Sequence, residues 1–104
     1  MTVRIWDRPS GKLSVSANVA AQNTFCEDAE FDYRRPFNLS VSGTWAGTVT
    51  LQRSFDNGST WVDVWSTTSN VETAVESIES GVLYRLGIKS GNYTSGTAVC
   101  RLGQ

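Results

Sequence analysis

An all-β fold is what this sequence predicts: a small antiparallel β-sandwich or barrel-like domain with an extended N-terminal segment. Three observations carry that reading. Val82, Tyr84, Leu86 and Ile88 alternate with Leu83, Arg85, Gly87 and Lys89, the period-two pattern of a strand with one buried face. Turn-forming residues punctuate the chain from Phe37 onward at about the 8–12-residue spacing of sandwiches and barrels. Asp56-Asn57-Gly58 lies within Ser54-Phe55-Asp56-Asn57-Gly58-Ser59-Thr60-Trp61, with the strand formers Val49 and Leu51 before it and Val62 and Val64 after it, which reads as a hairpin tip.

In chain order, Arg8-Pro9-Ser10-Gly11-Lys12 is a turn signal, and Leu13, Val15, Ala17 and Val19 then alternate with polar residues. Residues 1–24 are read as an N-terminal arm or edge strand, and residues 25–104 as a single β-sandwich domain. An arm has a physical use, because an unpaired strand edge is a template for association. Asn23 to Arg35 is rich in mixed charge and reads as a solvated connection or polar strand. Phe37, Leu39 and Val41 mark the next strand, and Gly43-Thr44-Trp45-Ala46-Gly47 reads as a glycine-bracketed turn. Thr48–Phe55 and Thr60–Ser66 flank the hairpin tip. Val71, Thr73 and Val75 alternate with Glu72, Ala74 and Glu76 as an exposed strand, favoured over a short helix by its β-branched content. After the Val82–Ile88 strand, Gly91 to Gly96 reads as a loop, and Ala98, Cys100 and Leu102 close the chain as a final strand. From Phe37 this makes about six strands.

The totals narrow the function classes. A chain of 104 residues is one domain with one core. Its net charge of −1, with Lys and Arg dispersed, supplies no electrostatic footprint for nucleic acid. The first residues lack the pattern of a secretion signal, and no apolar run approaches the roughly 20 residues of a membrane helix. The expectation is a soluble protein made in a cytoplasm, with neither nucleic-acid nor membrane partners. The two cysteines, Cys26 and Cys100, are expected to be buried thiols rather than a disulfide framework.

Catalytic equipment is sparse. The chain has no His, which removes the commonest general base and the imidazole metal ligand. Neither Gly-x-Ser-x-Gly nor Ser-x-x-Lys occurs. Glu27, Asp28, Glu30 and Asp32 lack the glycine-assisted bend of a calcium loop, so no metal or cofactor is expected. A glycosidase would pair two acidic residues, for instance Asp56 and Asp63, and a turn carboxylate such as Asp56 ordinarily serves backbone N–H groups. The four tryptophans need another account. Trp45, Trp61 and Trp65, with Tyr84 and Tyr93, are candidates for an aromatic platform that stacks on sugar or forms an interface. Ser54, Asp56, Gly58 and Trp61 are read as the fold-setting turn. Ile5, Trp6, Leu13, Val15, Trp45 and Trp65 are the candidate interface.

The pattern Ser54-x-Asp56-x-Gly58-x-Thr60-Trp61 resembles the Asp-box, a hairpin motif of sialidase propellers and of many extracellular or viral β-domains, where it is a folding device. The wider stretch from Pro36 to Trp61, with Gly81-Val82-Leu83-Tyr84-Arg85-Leu86, Tyr93-Thr94-Ser95-Gly96-Thr97 and Arg101-Leu102, resembles small structural proteins of tailed bacteriophages. The resemblance covers the last two-thirds of the chain. It implies a non-enzymatic virion protein, foremost a capsid decoration (cement) protein that binds the major capsid protein and stabilises the head. It also implies assembly as a homo-oligomer, with a trimer favoured. A tail or head-fibre component, or a carbohydrate-binding module using surface aromatics, is the alternative.

Overall fold

The structure is a computed structural model and describes residues 2–3, 13–77 and 79–104. The candidate interface residues Ile5 and Trp6 lie outside the described residues. Within them the chain forms β1 (Thr2–Val3), β2 (Ser14–Val19), β3 (Thr24–Phe25), β4 (Asp28–Glu30), β5 (Phe37–Gly47), β6 (Val49–Ser54), β7 (Val62–Thr67), β8 (Val71–Val75), β9 (Leu83–Ile88) and β10 (Tyr93–Gly103), and no helix. Six strands make one sheet in the order β1-β4-β9-β6-β7, with β3 also beside β9; the other four make a second sheet in the order β2-β10-β5-β8. Pairing is antiparallel except for the short parallel contact of β1 with β4.

The two sheets bury their apolar faces against each other as a β-sandwich. The four-stranded sheet contributes Val15, Val19, Leu39, Val41, Ala98, Cys100 and Leu102; the six-stranded sheet contributes Val49, Leu51, Tyr84, Leu86 and Ile88. The alternation read at Val82–Ile88 is therefore a core face. At one end Phe31 stacks on Phe37 with ring centres 4.3 Å apart, and Tyr84 tilts against Phe37 at 4.8 Å. Cys26 and Cys100 are free, buried thiols. Burial pushes the Cys26 thiol up to about 11 and the Cys100 thiol up to about 12.

Three local readings are corrected. Gly43 to Gly47 is no turn: β5 runs through it, paired with β10 from Gly43↔Ala98 to Gly47↔Tyr93. Both glycines hold φ in the left-handed region, 95° and 138°, inside that ladder. A Cβ at Gly43 would sit 2.6 Å from the Thr97 carbonyl oxygen, so glycine there bends the strand and admits its neighbour's backbone. The chain then changes sheets at Thr48, whose N–H donates to the Asn92 carbonyl at 2.9 Å. The Tyr93 to Gly96 part of the expected loop is likewise strand, entered through an irregularity between Tyr93 and Ser95.

The charged stretch before Pro36, expected as a solvated connection or polar strand, holds the short strands β3 and β4 and is not solvated throughout. Ala29, Glu30 and Phe31 are buried there. The Glu30 carboxylate accepts the Gly81 N–H at 2.7 Å, which ties β4 to the turn leading into β9. The last residue clasps the same region: Gln104 Oε1 accepts the Asp32 N–H at 2.7 Å, and its Nε2 donates to the carbonyls of Asp32 (2.9 Å) and Arg35 (3.0 Å).

Candidate functional site

The hairpin between β6 and β7 is built as its residue types require. Ser54, fully buried, donates its hydroxyl to Asp56 Oδ1 at 2.7 Å and accepts the N–H groups of Gly58 (2.8 Å) and Asp56 (3.3 Å). Asp56 Oδ1 also accepts the Thr60 N–H at 2.8 Å. Asn57 and Gly58 take the left-handed φ values, 60° and 93°. The Ser54 hydroxyl and the Thr60 N–H hold the Asp56 carboxyl below the usual carboxylate range. This carboxylate is used up in shaping the turn.

Trp61 leaves the turn and lies over Arg85, its ring centre 4.2 Å from the guanidinium carbon; Phe25 on β3 lies over the same guanidinium at 4.0 Å. Partial burial between these rings lowers the Arg85 pKa. From Arg85 a polar row crosses the face of the six-stranded sheet turned away from the core. Strand register places Gln52 opposite both Arg85 and Asp63. Arg85 Nε donates to Gln52 Oε1 at 2.8 Å, Gln52 Nε2 donates to Asp63 Oδ1 at 2.8 Å, and Lys89 Nζ donates to Asp63 Oδ2 at 2.5 Å. Lys89 foremost, then Gln52, holds the Asp63 carboxyl below its usual range. Asp56 and Asp63 therefore serve different networks, the turn and the sheet.

The expected aromatic platform does not form. Tyr84 is buried in the core, and Trp61 is spent on Arg85. Trp45, on the four-stranded sheet, donates its indole N–H to Asn70 Oδ1 at 2.8 Å, and Asn70 Nδ2 donates to the Gly43 carbonyl at 3.0 Å. Tyr93 donates its hydroxyl to the Gly96 carbonyl at 2.9 Å. Trp45 and Tyr93 belong to the four-stranded sheet, whereas Tyr84 and Trp65 belong to the six-stranded one, so the sandwich divides the rings between its two layers. Leu13 and Val15 are likewise corrected as surface candidates: at 2% and 6% exposure they belong to the core.

Trp65 remains at a surface opening. It packs on the core and lines a cleft of about 360 Å³ between β7 and β8, together with Leu51, Arg53, Val64, Val75 and Tyr84. At the same end, Phe55, Val62 and Val64 are 53%, 48% and 37% exposed. Val62 pairs with Arg53, so this apolar rim borders the guanidinium, which itself lies 5.0 Å from the Phe55 ring centre. Trp65 also borders a polar concavity of about 320 Å³ with Thr48, Thr50, Asp63, Ser66, Lys89 and Asn92.

Sequence reasoning found the hairpin and missed Phe25, Gln52, Arg85 and Lys89. The signal for Gln52, Arg85 and Lys89 was an outward place in an alternating pattern, which becomes a row only when register is known, and Phe25, in the mixed-charge stretch, had none. No cluster of His, Cys, Asp and Glu suited to a metal ion occurs among the described residues. No protein-family model, curated protein or solved structure matches the chain.

Proposed function

We propose that this chain is a non-enzymatic structural protein of a phage virion, a decoration protein that docks on the major capsid protein and stabilises the head. The resemblance of residues 36–102 to small phage structural domains supports the virion setting. The observation that carries a docking role is the apolar rim of Phe55, Val62 and Val64 beside the Trp65 cleft, large side chains exposed together at one end of the sandwich. The carboxylates a glycosidase would need are committed to the turn and the cross-strand row, which favours a binding role over a hydrolytic one. Co-sedimentation with purified capsids tests the proposal. Binding that Val62→Asp with Val64→Asp abolishes, and heads that lose heat resistance without the protein, are the expected results. Heads equally stable with and without the protein, and no co-sedimentation, overturn it.

A second reading, a carbohydrate-binding module, is favoured by the polar concavity where Asp63, Lys89 and Asn92 meet Trp65. It predicts glycan-dependent quenching of tryptophan fluorescence that Trp65→Ala removes. A flat response across a broad glycan panel excludes it.

A further inference from the structure

We infer that β2 is the contact strand of a twofold pair, in which two copies of this chain join their four-stranded sheets edge to edge. The inference rests on the sheet edges alone and not on the virion reading.

The exposed edges of the sandwich differ in how they resist pairing. A strand edge is ordinarily protected by charge, shortness, irregularity or cover. On the six-stranded sheet, β7 carries a register shift opposite Leu51 and Gln52, together with Asp63. At the other side of that sheet β3 and β4 span two and three residues, Glu27 lies between them and Asp28 opens β4, and β4 is paired by β1. On the four-stranded sheet, β8 bears the exposed Glu72. The fourth edge has none of these devices. β2 is six residues, Ser-Val-Ser-Ala-Asn-Val, with no charge and no proline. Its register with β10 is unbroken from Val19↔Ala98 to Ser14↔Gly103. Among the described residues no strand pairs its outer side.

The side chains of β2 suit a second copy of itself. Val15 and Val19 face the core, while Ser14, Ser16 and Asn18 are exposed. In a twofold antiparallel pair, facing residues share a side of the sheet, so their numbers must have an even sum. An axis at Ala17 sets Val15 against Val19 on the inner side and Ser16 against Asn18 on the outer side. The smallest side chain of the strand then sits on the axis. All outward groups are uncharged, so identical strands meet without like-charge repulsion. The partner implied is a second copy in twofold symmetry, in contrast to the threefold assembly that the resemblance implies.

Sedimentation velocity over a concentration series, on the full chain, tests this. Wild type is expected to pass from monomer to dimer. Ser16→Lys with Asn18→Lys places like charges about 5 Å apart across the joint and is expected to leave only monomer. Ser16→Lys with Asn18→Glu places opposite charges there and is expected to restore the dimer. Both pairs alter exposed positions, and circular dichroism identical to wild type shows that the fold is kept. A wild type that stays monomeric, a trimer, or a dimer retained by the Lys/Lys variant overturns the inference.

Discussion

The Arg85 guanidinium carbon lies 4.2 Å from the centre of the Trp61 ring, and this contact joins the hairpin tip to the central strand β9. Trp61 thus acts as a strap from the turn onto the sheet. Trp61→Ala removes a partly desolvated cation–π contact and the apolar cover of Arg85, and is expected to cost about 1–3 kcal/mol in denaturant unfolding. Trp61→Phe, which keeps a ring, should cost less. Equal losses in the two variants would contradict the strap.

Within the hairpin, Ser54 is the pivot. Ser54→Ala deprives the Gly58 and Asp56 N–H groups of their acceptor and Asp56 of a donor at a buried position, an expected loss of about 1–2 kcal/mol. Ser54→Thr retains the hydroxyl and should lose less. Thermal unfolding of both variants measures the difference.

The cross-strand row makes Gln52 a relay between Arg85 and Asp63. Gln52→Ala breaks two hydrogen bonds of 2.8 Å each and is expected to cost about 1–2 kcal/mol. A double-mutant cycle with Asp63→Ala should give a coupling of about 0.5–1 kcal/mol. Additive losses would mean that the row is not energetically connected. The exposed Lys89–Asp63 pair should add little, as surface ion pairs do.

Gln104 is expected to matter beyond its terminal position. Gln104→Ala removes one acceptor and an amide donor shared among the carbonyls of Asp32, Arg35 and Pro36, and faster hydrogen exchange at the Asp32 amide is the direct readout. Unchanged exchange there would show that the clasp is not maintained in solution.

Stability should fall at both pH extremes for separate reasons. The Arg34 side chain and backbone N–H hold the Asp32 carboxyl at about 2 against an ordinary 3.8. A depressed folded pKa means that its contribution is complete above about pH 4 and is lost as pH falls towards 2. The buried thiols act in the opposite sense. Their folded values of about 11 and 12 exceed the ordinary 9.0, so their contribution is complete below pH 9 and is lost as pH rises through 11 to 12. Melting temperature against pH should show both limbs, and Cys100→Ala should shrink the alkaline one. For the same reason neither thiol should react with a thiol reagent at pH 8 until the protein unfolds.

The strand-forming faces and the turn chemistry are legible in the primary structure. Val82, Tyr84, Leu86 and Ile88 alternate whatever their partners are, and Ser54, Asp56, Asn57 and Gly58 meet the local demands of one tight turn. Such signals survive in the primary structure because each depends on neighbours a few residues away. What lies between strands follows from long-range pairing. Gly43 and Gly47 looked like a turn, yet β10 alongside keeps them in a strand. Leu13 and Val15 looked available, and the closing of the second sheet buried them. Gln52 became a relay only when β7 and β9 settled in register on either side of it. An apolar or polar residue in a strand declares its spacing, but the face it meets is set by pairing over long sequence distances, and that pairing is what separates Trp61, the lock on Arg85, from Trp65 in its open cleft.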